Sequence, residues 1–224
     1  MHCCSHMPLA SVSPAITTRF LQVQEVLSFV QRGEQAPPAS DHTEIRLLRG
    51  LFYVHLYGAF EFSVNRIVLG AAQAINAAQV PHSNVVHPLC ALVLDTSFNA
   101  LSQSGRHWQK RIELIRQRLS FDIAQINDGS MDMQNIWLDT IQRIFDVFGV
   151  AKPIMFDVTK SGYIREVVEA RNKIAHGEDS PIVYGSLKRC ADLQIVHDAI
   201  RAEAFYILDC FNEYLTSGAY KLVP

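Results

Sequence analysis

An all-α fold is expected: a helical bundle of about six or seven helices with one long central helix. Three observations predict it. Apolar residues recur at three- and four-residue intervals along most of the chain. One such pattern runs almost unbroken from Asp41 to about Gln79. No convincing strand pair, internal repeat or low-complexity linker can be drawn.

Composition fits that class. Of 224 residues, 49% are hydrophobic and 19% charged, enough for a substantial core and too apolar for disorder. The formal charge of −2 means that any nucleic-acid contact must come from a local basic patch. The longest apolar stretch, IVLGAAQAINAAQV, is interrupted by Gln73 and Asn76 and is too short to cross a bilayer. The opening MHCCSHMPLASVSP has no basic region followed by an apolar run, so no secretory signal is expected. Cys3, Cys4, Cys90, Cys190 and Cys210 match no zinc spacing and read as reduced thiols of a cytoplasmic protein. No cofactor is implied, since neither a GxxxxGK[ST] nor a GxGxxG phosphate loop is present.

Residues 1–13 are expected to be a flexible N-terminus, and 14–224 a single domain. Pro14 opens the first helix, in which Phe20, Val23, Leu27 and Val30 form a stripe, and RGEQAPPAS breaks it. The long central helix follows, capped by Asp41 or Thr43 and pausing only near Gly70. Its expected core is Leu48, Leu51, Leu56, Phe60 and Val64. Glu61, between two phenylalanines, reads either as a buried carboxylate or as a solvated outer-face residue.

VPHSNVVHPLCALVLDTSFNALSQSG predicts a short helix and then an irregular connection. RHWQKRIELIRQRLS predicts an amphipathic helix and FDIAQINDGSMDMQ a loop. NIWLDTIQRIFDVFGV is the next helix, ending near Gly149, and AKPIMFDVTKSG the loop after it. YIREVVEARNKIAHG, the short PIVYG stretch and a long helix from Leu187 complete the chain.

The stretch RNKIAHGEDSP poses a physical problem. On a wheel of roughly 100° per residue, Tyr163, Ile164, Val167, Val168, Ile174 and Ala175 share one arc, with Arg171 in its middle. Arg165, Glu169, Asn172 and His176 gather along one edge. A guanidinium on a buried face is costly unless paired. Arg171 could pair with Glu61 or Asp95, could lay its stem on the core with its head in water, or could face a ligand or second subunit. His176 has a plain reading too: a cation in the last turn before Gly177, a natural C-terminal cap.

The run Arg171-Asn172-Lys173-Ile174-Ala175-His176 resembles the Arg-polar-x-x-x-His signature of the HEPN superfamily (higher eukaryotes and prokaryotes nucleotide-binding domains). LLRGLFYVHLYGAFEFSVNRIV likewise resembles the long second helix of a toxin- and defence-associated bacterial group within it, and the likeness covers about residues 42 to 217. The resemblance implies an all-α bundle and a metal-independent endoribonuclease, in which the Arg-x4-His motifs of a homodimer face each other. It implies catalytic roles for Arg171, His176 and Asn172, an RNA substrate, and an antitoxin or other defence-operon protein as partner. Glu61 and Glu169 would support the site, and Lys173 would contact RNA. Some members carry a modifiable tyrosine two residues after the histidine; Glu178 stands there, so the resemblance does not extend to that regulation. The alternative is a non-catalytic module of the same fold, binding RNA, nucleotide or a partner protein.

Two other signals bear on function. Arg106, Lys110 and Arg111, with Trp108 among them, could track an RNA strand or be solvated helix charge. His82 and His87 lack acidic or cysteine partners at ligand spacing, so no metal site is expected.

Overall fold

A computed structural model describes residues 8–37, 39–102, 107–127, 133 and 135–222. Its centre is α2 (Thr43–Ala77), which is about 50 Å long at 1.5 Å rise per residue. Phe52, Tyr53, Leu56, Tyr57, Phe60, Val64, Ile67 and Val68 are buried along it, on more than one side. A helix apolar on several sides is covered by several neighbours. Here these are α1 (Val12–Arg32), α7 (Ser161–Ala175), α8 (Pro181–Leu187) and α9 (Cys190–Thr216). Apart from Ala199, the buried apolar side chains of all these helices except α8 belong to one contiguous cluster.

Between α2 and α7 lie α3 (Cys90–Val93), α4 (Asp95–Ser102), α5 (His107–Leu119) and α6 (Leu138–Phe148). The described residues thus hold nine helices, more than the six or seven expected. The extra ones are short. DTSFNALS, expected to be irregular, forms α4, and PIVYG lies in α8, where the Ser180 hydroxyl accepts from the Ile182 amide. The described residues contain no sheet, only isolated bridges at Pro81–Ile123 and Val85–Lys221.

Three details differ from expectation. The central helix does not pause at Gly70. A side chain there would run into Leu9 Cδ2 at 2.8 Å, so the glycine makes a seat for Leu9. Leu9 is itself buried, and its amide donates to Asn212 Oδ1 at 3.1 Å, so the folded part begins before residue 14. Leu51, expected in the core, is 41% exposed on the outer side of α2.

The first turns of α2 are fixed by two devices. Among the described residues Arg49 is the buried arginine, 3% exposed. Its Nη1 meets Glu34 at 2.7 Å and its Nη2 meets Asp41 at 2.8 Å. Arg189 donates to the Gln35 carbonyl, and the Cys190 amide donates to Glu34. The Gln35 amide bonded to Asp41, aided by the two arginines, holds that carboxyl below its usual pKa despite burial. Paired through both terminal nitrogens, with only its Nε left without a hydrogen bond among the described residues, this buried charge ties the end of α1, the connection after it, α2 and α9 together. The second device is backbone contact: α8 crosses α2 where Gly50 faces Pro181 and Gly185 faces Arg46. A Cβ on either glycine would lie within 2 Å of a carbonyl oxygen.

Candidate functional site

Helix α7 buries Ile164, Val167, Val168 and Ala170 against the body of the fold. It ends as the sequence predicts. Gly177 takes φ +72°, its amide donates to Ile174 O, and the Glu178 amide reaches back to Lys173 O at 2.9 Å. That pattern satisfies the last carbonyls and stops the helix at His176. α8 begins at Pro181, so its close seat on α2 holds the far side of this turn.

Arg171 is half-buried, and no ion pair joins it to Glu61 or Asp95. Its charge is met differently. The guanidinium carbon lies 4.7 Å from the centre of the Tyr57 ring, over its face. Nη1 donates to Asn172 Oδ1 at 2.7 Å and to Asn135 Oδ1 at 3.2 Å. Nε and Nη2 make no hydrogen bond to the described residues, so two of the three guanidinium nitrogens are unspent.

Tyr57 is held from both sides. Its hydroxyl donates to Glu61 Oε1 at 2.8 Å and accepts from the Ile136 amide at 3.0 Å. Burial, reinforced by Glu61, pushes its pKa up to about 12, against the pull of the Ile136 amide and Arg171. It is therefore a neutral donor at physiological pH. Asn135 adopts φ +52°, an uncommon conformation for a residue other than glycine. Residues 135–136 thus join the spine to the motif helix, Asn135 through Arg171 and Ile136 through Tyr57. Glu61 is half-buried, and it also lines a groove of about 350 Å³ with Arg19, His55, Gly58, Phe62 and Asn65.

His176 is exposed, and its ring makes no hydrogen bond to the described residues. Asn172 therefore bonds Arg171 and leaves His176 unoriented. Lys173 is exposed and sits 3.7 Å from Asp179. Glu169 faces solvent. Arg106 lies outside the described residues. Lys110 is spent within the fold, donating to Ala100 O at 2.8 Å, and Arg111 lies over Trp108. Those two are carried by α5, which packs chiefly on α4 and the turn at His82–Asn84, whereas α7 packs on α2. The basic residues of α5 and the Arg171 site are not brought together by any strong helix contact.

Sequence reasoning missed Tyr57 and Asn135. The one available signal was Tyr57 standing four residues before Glu61 on a single helix face. It also missed Glu166 on α7, which accepts from the Tyr53 hydroxyl at 2.6 Å and pairs with Lys188 at 2.7 Å. Among the described residues, no group of three or more His, Cys, Asp or Glu side chains is placed to hold a metal ion. No helix among them is long and apolar enough to cross a membrane.

Compared with known proteins, residues 19–217 match the family model described as RiboL-PSP-HEPN. No curated protein and no solved structure matches the chain.

Proposed function

The chain belongs to the RiboL-PSP-HEPN family, and from that premise we propose that it is a metal-independent endoribonuclease acting as a homodimer in a toxin or defence role. The observation that carries the reading is the setting of Arg171. An arginine is stacked on an aromatic face and anchored through one nitrogen, with its other donors free, five residues before a solvent-facing histidine.

RNA brings its own nucleophile. A base takes the 2′-hydroxyl proton, O2′ attacks phosphorus, and the bond to O5′ breaks as that oxygen gains a proton. His176 is suited to either proton transfer because a neutral imidazole carries one nitrogen that accepts a proton and one that donates. The free Nε and Nη2 of Arg171 match a pair of phosphate oxygens, where negative charge grows in the transition state. A second copy would supply a second histidine, so that one acts as base and the other as acid. The products are a 2′,3′-cyclic phosphate and a 5′-hydroxyl.

One observation favours a second reading, a module that binds RNA, nucleotide or a partner protein without cutting. Nothing among the described residues fixes the tautomer of His176, which a general base needs. RNA incubated with the protein in excess EDTA decides the chemistry. The proposal expects cleavage to cyclic-phosphate ends; cleavage that stops on chelation and returns with a divalent cation contradicts it.

A further inference from the structure

Helix α5 is inside out. Its polar side chains hold it to the protein: Lys110 donates to Ala100 O, and Gln117 accepts from Ser97 Oγ at 2.8 Å. Arg118 donates to His82 O at 2.5 Å and to Val85 O at 3.0 Å. Its apolar side chains point the other way. Trp108, Ile112, Ile115 and Leu119 are 76, 47, 57 and 66% exposed. Their spacing of four, three and four residues is the a/d seam of a coiled coil, and on a wheel it is a narrow stripe opposite Lys110, Leu114 and Gln117. Phe121, 86% exposed, extends the apolar surface past the helix end.

The flanks of the seam carry a charge rule. With Ile112 and Leu119 at a and Trp108 and Ile115 at d, the e and g positions are Gln109, Arg111, Arg116 and Arg118. None is acidic. Arg118 is spent on carbonyls, while Arg111 rests on Trp108 and Arg116 reaches Glu113 only at 4.0 Å with both side chains largely in water. A second copy pairing here in parallel would oppose Arg111 to Arg116, and in antiparallel would oppose each to its own kind. Both arrangements set like charges together.

We propose that the outer face of α5 is a docking surface for an amphipathic helix of another protein, with apolar a/d residues and acidic e/g residues. The surface is separate from the Arg171 site and does not depend on RNA cleavage. The opposed pattern makes it a protein-reading face: a polyanion would need the lysine and arginines free, and two of them are consumed inside the fold.

The probe is a designed fluorescent helical peptide with Leu and Ile at a and d and Glu at e and g. Its control carries Lys at e and g. Full-length protein is titrated into each, with anisotropy and Trp108 fluorescence as readouts. The Glu peptide is expected to bind at least about tenfold tighter than the Lys peptide. Arg111→Glu with Arg116→Glu should reverse that preference, and Ile112→Glu with Ile115→Glu should abolish binding of both. All substituted side chains are exposed, so unchanged circular dichroism shows that the fold is kept. Equal binding of both peptides, or none, overturns the proposal. So does self-association that Ile115→Glu abolishes, which would make the face a contact between copies. Single-stranded RNA that binds through Arg111 and Arg116 and is indifferent to Ile115→Glu overturns it as well.

Discussion

Arg171 lies over the face of Tyr57, guanidinium carbon to ring centre 4.7 Å, and the Tyr57 hydroxyl is pinned between Glu61 and the Ile136 amide. The central helix therefore places the motif arginine through an aromatic ring, without a counter-charge. An ion pair with Glu61 would have spent the guanidinium on a carboxylate. The ring face steadies it and leaves two of its nitrogens without a hydrogen bond to the described residues.

Substitutions at Tyr57 should separate these roles. Tyr57→Phe keeps the ring face but strands the buried Ile136 amide, which costs about 1–3 kcal/mol of stability, with cleavage lowered only slightly. Tyr57→Leu also removes the face, so cleavage and RNA affinity should fall together well beyond the Phe variant. Urea titrations and initial cleavage rates on the same preparations check this. Equal activity of the two variants would show that the ring does not position Arg171.

The crossing of α8 on α2 should tolerate no added methyl group. In Gly185→Ala the new Cβ would lie 1.7 Å from the Arg46 carbonyl oxygen, which is backbone and cannot swing away. Gly162→Ala is the control, because a Cβ there meets nothing within 4 Å and alanine favours the helix by up to about 1 kcal/mol. Urea midpoints should fall for Gly185→Ala and hold or rise for Gly162→Ala. The turn carrying His176 ends at α8, so Gly185→Ala should also lower cleavage.

Glu203 gives a pH dependence. It is 4% exposed, its Oε2 accepts from the Phe156 amide at 3.1 Å, and its Oε1 has no partner among the described residues. Burial pushes its pKa up to about 7, against the Phe156 hydrogen bond. The folded state thus favours the neutral acid. Its contribution is fully present below the unfolded value, near 4.5, and is lost as pH rises through 7. By pH 8 the cost reaches about 3 kcal/mol at most. Glu203→Gln should match wild type in Tm most closely at pH 5 and exceed it at pH 8. A gap that does not change with pH would contradict this.

The helical class, the long spine and the capped end of α7 were legible because each rests on local chemistry: periodicity, proline and glycine. Leu51 was misplaced because α2 is apolar on several sides, and a stripe drawn on such a helix has no unique direction. Arg49 went unnoticed for a different reason. Its partners Glu34 and Asp41 lie at either end of a segment that reads only as a break, and the pairing is tertiary. α4 and α8 were missed since short helices owe little to propensity and much to what they pack on.

At the candidate site, the arginine on an apolar arc was visible as a problem, and the answer was not. Tyr57 is 114 residues before Arg171, and Asn135 follows a segment with no pattern to read. Burial of Arg171 was overestimated because its arc runs out toward the end of α7, where Ala175 and His176 face solvent. On α5 the amphipathic pattern was plain, but its direction was not, since a wheel shows two faces and cannot say which one meets the protein.

The central claim is that His176 moves protons while Arg171 binds phosphate, and single-turnover cleavage measured beside RNA binding tests it most directly. His176→Ala should lower the cleavage rate by roughly two to four orders of magnitude with RNA affinity little changed. Arg171→Ala should weaken both, since the proposal has its free donors meet phosphate in the bound state and more strongly in the transition state. Light scattering on each variant would separate a lost dimer from a lost charge. Wild-type protein that binds RNA but cuts no substrate, with His176→Ala altering neither binding nor products, would contradict the account and leave His176 as the charged end of a helix.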